Sequence, residues 1–326
     1  MASGNSDRSF SSILTVTLNP TVDICLEVEQ LYGEGKNRAR LCSVRGGGGG
    51  INVARCIRRL GGGATALHTC GREIGQRLDR LLDEEGLDHR RIEIAGDTRE
   101  AFVIADARSG RSYHIVPPGP VLSEADGQRC LATIIRMAQH FSYLVITGSM
   151  PPGVREDFCA EVVRQAAAHG IRVVLDVAGA QLRKVIQEQV FVNRLDRKEA
   201  GALIGRPIAT FADARAANEY VLEAGAVSNA ITTVGALGAV LSTRTAHHEV
   251  AAPVLPHPPR SDACAGDSLI GAVTYRLVVG DNCVRACEYG VAAAAATVLL
   301  PGTEVFDAAT VEELLAEVHT HWSIRQ

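Results

Sequence analysis

Apolar and polar positions follow two different periods along this chain, and the changes of period divide it. Ile13 to Leu18 is a short β-rich apolar run stopped by Asn19-Pro20. Two segments of period two follow, Ile24 to Glu29 and Arg38 to Val44, which predict half-exposed strands. After Gly46 to Gly50 the period lengthens to that of an amphipathic helix, Ile51 to Leu60. Beyond Gly61-Gly62-Gly63 the order is strand, helix, strand, at Thr65 to Thr69, Ile74 to Glu85 and Arg91 to Ile94. Two more alternating strands, Ala101 to Asp106 and Ser112 to Val116, flank a turn at Ala107 to Gly110.

From Glu124 onward the rhythm becomes regular. Helices at Gln128 to His140 and Arg155 to His169 lead to strands at Tyr143 to Thr147 and Ile171 to Asp176. Strands are predicted again at Val190 to Asn193, Ala230 to Val234 and Ala239 to Thr243, with helices beginning at Arg197 and Phe211. The last third reads as helical, at Gly266 to Val279, Cys283 to Leu299 and Ala309 to His319. Strands alternating with helices of ~10–15 residues imply an α/β fold, a mostly parallel central sheet with helices on both faces. The four amphipathic strands before residue 120 do not fit that sheet. They predict a small β lid built from two excursions, about 24–44 and 101–116. The organisation expected is a disordered N-terminal tail over 1–12 and one α/β domain over 13–326.

Composition narrows the class. With 46% apolar residues in 326, the chain has ample material for a core, and a formal charge of −4 offers no broad basic surface to nucleic acid or anionic membrane. Nine scattered cysteines without a CxxC pair read as reduced thiols in a reducing compartment. No HExxH and no Cys/His zinc spacing occurs. The polar start lacks a secretory pattern, and the apolar stretch 290–300 is far below the ~20 residues a membrane helix needs. A cytoplasmic protein with a small-molecule partner is expected.

Two stretches carry candidate chemistry. Gly46 to Gly50, followed by Ile51-Asn52, is neither a Walker loop nor a dinucleotide fingerprint, and Gly61 to Ala66 has the latter spacing in the wrong structural order. A backbone without side chains at the start of a helix allows close approach of a ligand, and Asn52 can donate and accept toward a polyol; a flexible turn is the plainer reading. In Ser261-Asp262-Ala263-Cys264-Ala265-Gly266-Asp267-Ser268, small residues at a helix start let amide groups converge on an anion. Asp267 in the first turn is placed to take a proton from a hydroxyl, or simply to complement the helix dipole.

Four separated motifs, in order, resemble those of the PfkB-type branch of the ribokinase-like carbohydrate kinases. They are Leu18 to Asp23 (LNPTVD), Gly46 to Arg55 (GGGGGINVAR), Thr147 to Gly153 (TGSMPPG) and Ala265 to Ser268 (AGDS), with shorter matches at Gly35-Lys36, Thr98-Arg99 and Gly235 to Gly238. The resemblance implies a ribokinase-like fold, Mg²⁺-dependent use of ATP, and phosphorylation of a hexose monophosphate: fructose 6-phosphate, fructose 1-phosphate or tagatose 6-phosphate. It implies Asp267 as catalytic base with Cys264, Ala265 and Gly266 at the anion hole. Asp23, Gly48, Gly49, Asn52 and Ser149 fall on the sugar side, with Lys36 and Arg99 on the substrate phosphate. Thr233, Gly235 and Gly238 fall on the nucleotide side, and Asp196 with Glu199 on the acidic motif that governs magnesium indirectly. A homodimer through the β lid is also implied.

The sequence departs from the pattern at four places. Cys264 replaces a glycine, Arg194-Leu195-Asp196 replaces Lys-Pro-Asn, Ala101 replaces an asparagine and His114 an arginine. These changes leave two alternatives open: a kinase for an unphosphorylated sugar or nucleoside, or a weakened sugar-phosphate-binding regulator. Cys264 itself reads either as a small buried thiol or as a low-pKa thiol at a helix N-terminus.

Overall fold

Five residues, Ile-Leu-Thr-Val-Thr, open the main sheet as β1 (Ile13–Thr17), buried along its whole length. The computed structural model describes residues 12–225 and 227–325, so the tail expected over 1–12 lies almost wholly outside them. From β1 the chain leaves for a second sheet as β2 (Thr21–Val28) and β3 (Arg40–Gly47), then returns through α1 (Gly49–Arg59) to β4 (Ala64–Gly71). α2 (Arg72–Glu85) ends at Gly86, whose φ of 69° lets the chain turn sharply into β5 (His89–Ile94). A second departure, β6 (Arg99–Asp106) and β7 (Arg111–Ile115), completes the small sheet.

α3 (Glu124–Ala138) starts where Ser123 Oγ accepts from the Asp126 amide while Asp126 accepts from the Ser123 amide. That reciprocal cap places the helix start ahead of the predicted Gln128. The alternation continues with β8 (Tyr143–Thr147), α4 (Phe158–Ala168), β9 (Arg172–Asp176), α5 (Gly179–Val185), β10 (Val192–Leu195), α6 (Arg197–Ile204), α7 (Phe211–Glu223) and β11 (Asn229–Thr233). Then come β12 (Gly238–Ser242), β13 (Ala246–Ala251), the helices α8 (Ala265–Val278), α9 (Cys283–Val298) and α10 (Ala308–Leu315), and finally β14 (His319–Ile324).

The main sheet has ten strands in the order β14-β13-β12-β11-β10-β9-β8-β1-β4-β5, and the second has four in the order β3-β2-β6-β7. From β5 to β11 every pairing is parallel; β11 to β14 pair antiparallel. In the small sheet the central β2–β6 pair is parallel and the outer pairs antiparallel. The chain winds one way from β1 through β4 to β5 and the other way from β8 to β11. A crevice therefore opens beyond the carboxyl ends of β1 and β8, where parallel α/β sheets bind ligands.

Further features differ from the sequence expectation. The helix predicted over Ala309 to His319 ends at Leu315, and His319 begins β14. β13, β14 and the short α5 were not foreseen. β14 (HTHWSI) is a polar edge strand with its residues exposed or half-exposed, held by β13 alone, so no apolar alternation marks it. Helix α4 begins at Phe158 rather than Arg155.

Leu14, Val16, Leu144 and Ile146 of the central strands β1 and β8 are almost completely buried under the helices of one face. Each such side chain contributes about 1.5–3 kcal/mol. Leu144→Ala is expected to lower the unfolding free energy by about 2–5 kcal/mol. In urea this reads as a lower midpoint at unchanged slope.

Candidate active site

At the start of α8, Cys264 holds φ at 60°, a left-handed conformation that costs a side-chain-bearing residue ~1–2 kcal/mol. The backbone thus keeps the turn a glycine would make, and the departure at this position leaves the helix start intact. Its thiol is not a low-pKa one. Burial pushes it well above the ordinary range, and the Asp267 carboxylate pushes the same way, so the reactive-thiol reading is corrected.

Asp267, one turn into the helix, is half-buried. Its Oδ2 accepts from Asn52 Nδ2 at 2.8 Å, and the same amide nitrogen lies 3.3 Å from Cys264 Sγ. Asn52 is oriented in turn by Arg55, whose Nη1 donates to Asn52 Oδ1 at 2.5 Å. The Arg55 guanidinium is clamped by Glu85 at 2.6 and 2.9 Å and by the Gly46 carbonyl at 2.6 Å. A guanidinium only donates, so Asn52 must turn its oxygen to Arg55 and its NH₂ to Asp267. Burial pushes the Asp267 carboxyl up to about 7, against the Asn52 hydrogen bond and with the help of the Asp176 charge. A carboxylate so placed can orient a hydroxyl and take its proton near neutral pH.

The glycine run brings α1 against the carboxyl ends of β1 and β8. A methyl on Gly49 would lie 2.7 Å from Thr147 Oγ1, and one on Gly47 2.1 Å from Asp23 Oδ2; Gly48 needs its φ of 116°. The Asp23 carboxyl on β2 is buried, and burial raises it to about 6 against the pull of Arg55 and Arg99. Arg99, opening β6, donates to the carbonyls of Pro117 at 2.7 Å and Asn19 at 3.0 Å, and to Ser149 Oγ at 3.3 Å. Ser149 also accepts from Asn19 Nδ2 at 3.2 Å. Lys36 stands apart. It is exposed between β2 and β3, and among the described residues no hydrogen bond or ion pair ties it to this group.

Beside Asp267 a cavity of about 560 Å³ is lined by Thr147, Ser149, Asp176, Arg194 and Glu199, among others. Arg194 Nη1 donates to Asp176 Oδ1 at 3.0 Å and Nη2 to Thr233 Oγ1 at 3.1 Å. A methyl on Gly266 would meet Arg194 Nη1 at 2.8 Å, so this guanidinium sits directly beside the amides that open α8. Burial pushes the Glu199 carboxyl up to about 7, with Asp176 acting the same way. Asp196 caps α6: its Oδ1 accepts from the amides of Lys198 and Glu199, while Glu199 Oε2 accepts from the Asp196 amide. Gly235 and Gly238 form the tight turn between β11 and β12, at φ 60° and 119°; a methyl on Gly238 would strike the Val250 carbonyl. Neither glycine lines the cavity, nor do Thr233 and Asp196.

Sequence reasoning missed Arg55, Glu85, Asp176, Arg194 and Asn19 as site residues. Arg55 had a usable signal, a charge on the buried face of an amphipathic helix. Asp176 stands at the last position of a buried strand, where a charge is not needed for packing.

With this geometry in view, residues 14–308 match the family described as pfkB family carbohydrate kinase. The chain is similar to the ATP-dependent 6-phosphofructokinase isozyme 2 of Mycobacterium tuberculosis, 33% identical over 95% of this chain and 92% of that protein. It is also similar to phosphofructokinase-2 of Escherichia coli. The structure of that enzyme with potassium has a TM-score of 0.88 at 31% identity, covering 94% of this chain and 98% of the other. The one with fructose-6-phosphate has a TM-score of 0.86 at 30% identity, with the same coverage.

An acid whose pKa rises from 3.8 to about 7 on folding holds its proton more tightly in the native state. The stability it confers is full below pH about 4 and is lost as pH rises through 7. Asp267→Asn is therefore expected to be more stable than wild type above pH 7, with the difference shrinking toward acid pH. Urea unfolding at several pH values reads this; a pH-independent difference contradicts it.

Proposed function

Since this chain belongs to the pfkB family of carbohydrate kinases and is a sugar-phosphate kinase, we propose that it moves the γ-phosphoryl group of ATP to a hydroxyl of fructose 6-phosphate, with Asp267 as the base. The observation that carries this reading is the oriented, half-buried carboxylate of Asp267 beside a cavity at the start of α8. The relatives named as 6-phosphofructokinases favour fructose 6-phosphate over fructose 1-phosphate or tagatose 6-phosphate.

In the step, the sugar oxygen bonds to the γ-phosphorus as the bond to the ADP oxygen breaks, and the hydroxyl proton passes to Asp267 Oδ1 or Oδ2. Asn52 keeps the carboxylate aimed. The amides of Ala265 and Gly266, with the Arg194 guanidinium beside them, take up charge on the transferring group. Asp23 orients sugar hydroxyls, and Arg99 with Ser149 faces the substrate phosphate, a planar fork suited to it. Mg²⁺, when bound, supplies charge neutralisation among the phosphates. Glu199 fits that role better than Asp196, because it lines the cavity while Asp196 Oδ1 is committed to the α6 cap. The small sheet, carrying Asp23 and Arg99, acts as a lid whose closure brings Lys36 to the substrate and excludes water.

The same sheet supports a homodimer. Its register aligns Val44, Ile24, Phe102 and Ile115 in one row and Leu41, Leu26, Ile104 and Tyr113 in the next, so one face is apolar from edge to edge. Leu41, Tyr113 and Ile115 are exposed on it. A second copy covers this face.

ADP release with Mg-ATP over a panel of free and phosphorylated sugars tests the function. Turnover is expected on fructose 6-phosphate, rising with pH through about 7. Asp267→Asn is expected to lose about 10²–10⁴ of the rate while still binding the sugar phosphate. Turnover confined to free sugars, or binding without Asp267-dependent turnover, sinks the proposal. For the dimer, Ile115→Glu is expected to shift the sedimentation species from dimer to monomer; a wild-type chain that sediments as a monomer contradicts it.

A further inference from the structure

At the far edge of the main sheet, β4, α2 and β5 bring together three side chains that the proposed reaction does not use. His68 is wholly buried, Asp79 is 8% exposed, and His89 lies between them and the surface. Their donor atoms lie within 4.8 Å of one another. We propose that His68 Nε2, His89 Nδ1 and Asp79 Oδ1 form a site for a first-row divalent cation such as Zn²⁺, pinning the β4–β5 edge to α2.

Hydrogen bonds on the outer side of each ring determine what faces inward. His68 Nδ1 is 3.0 Å from the Thr69 carbonyl, which only accepts, so that nitrogen carries the hydrogen and Nε2 is bare. His89 Nε2 is 3.1 Å from Asp83 Oδ1, so it too donates outward. The inward nitrogens, His68 Nε2 and His89 Nδ1, are 3.0 Å apart. With both rings neutral, two lone pairs oppose each other there.

Asp79 sharpens the conflict. Its Oδ2 accepts from Arg91 Nη1 at 2.9 Å, which turns Oδ1 toward the histidines. Oδ1 is buried and has no hydrogen-bond partner, 3.6 Å from His68 Nε2 and 4.0 Å from His89 Nδ1. A proton added to His89 Nδ1 relieves the nitrogen pair but still leaves Oδ1 without a hydrogen bond. A cation on the shared side satisfies all three donors at once.

The spacing suits such an ion. Zinc holds histidine nitrogens at ~2.0–2.1 Å, which puts two of them about 3.3 Å apart in a tetrahedral shell, close to the distance seen. Two histidines with one carboxylate are a recurrent donor set for zinc. The outward bonds to a carbonyl and a carboxylate are the supports that metal-binding histidines use to fix their tautomer. The His89 side chain, 12% exposed, and surface Asp83 lie on the solvent side of the cluster, where an ion would enter.

The test is calorimetric titration of the metal-stripped full chain with ZnCl₂, followed by Co²⁺ absorption and thermal unfolding. The wild type is expected to bind one ion per chain and to unfold at a higher temperature with zinc. His89→Gln should abolish both effects, and Asp83→Asn should weaken binding about tenfold, with the phosphotransfer rate of each zinc-free variant, assayed with Mg-ATP, unchanged. Asp83 is a surface residue, so its variant decides the matter even if His89→Gln folds poorly. Absence of zinc binding by the wild type overturns the site. Equal binding by Asp83→Asn and His89→Gln also overturns it, since the ion then sits elsewhere, for instance on His319 and His321 of β14.

Discussion

The placement of one carboxylate depends on how two helices touch. Asp267 rides on α8, and Asn52, which aims it, rides on α1. These helices approach so closely that a methyl on Gly271 would lie 2.7 Å from Cys56 Cβ and 3.1 Å from the Val53 carbonyl. The contact fixes the separation between amide and carboxylate, and the Glu85–Arg55 clamp fixes which way the amide faces. Desolvation at this junction raises the acid toward neutrality, while the Asn52 hydrogen bond and the Arg194 and Arg55 charges act against it. Basicity and orientation thus come from the same packing.

The crevice outside β1 and β8 then sorts the charges. On one side Asp23 and Arg99 approach from the small sheet; on the other Asp176, Arg194 and Glu199 stand at the ends of main-sheet elements. Among the described residues Arg194 is the one cation lining the cavity, together with four carboxylates, Glu156, Asp176, Glu199 and Asp267. Burial first, and then the neighbouring Asp176 charge, raises both Glu199 and Asp267.

Two of the four departures from the family pattern have a structural account. Cys264 takes the left-handed angle its position requires, and its buried thiol packs against Asn52 and the Thr303 carbonyl. Asp196 closes the cap of α6, and Arg194 reaches past it to Gly266.

Local patterns were enough for much of this. The apolar period of each buried strand and helix predicted the α/β alternation, because burial imposes that period directly. The motifs around Asn52 and Asp267 named the two residues that meet only when taken in order with the other family motifs. Alone, a glycine run reads as a flexible turn and a first-turn aspartate as a partner of the helix dipole. Other features needed the folded chain. β13 and β14 pair at an edge where exposure removes the alternating signal. Arg55, Asp176 and Arg194 are held by partners as far as 30, 29 and 39 positions away. His68, Asp79 and His89 match no ligand spacing because three separate elements bring them together. Sequence determined which segments bury themselves and which helix starts are bare of side chains; tertiary contact alone decided which polar atoms face one another, because that depends on distances no local pattern encodes.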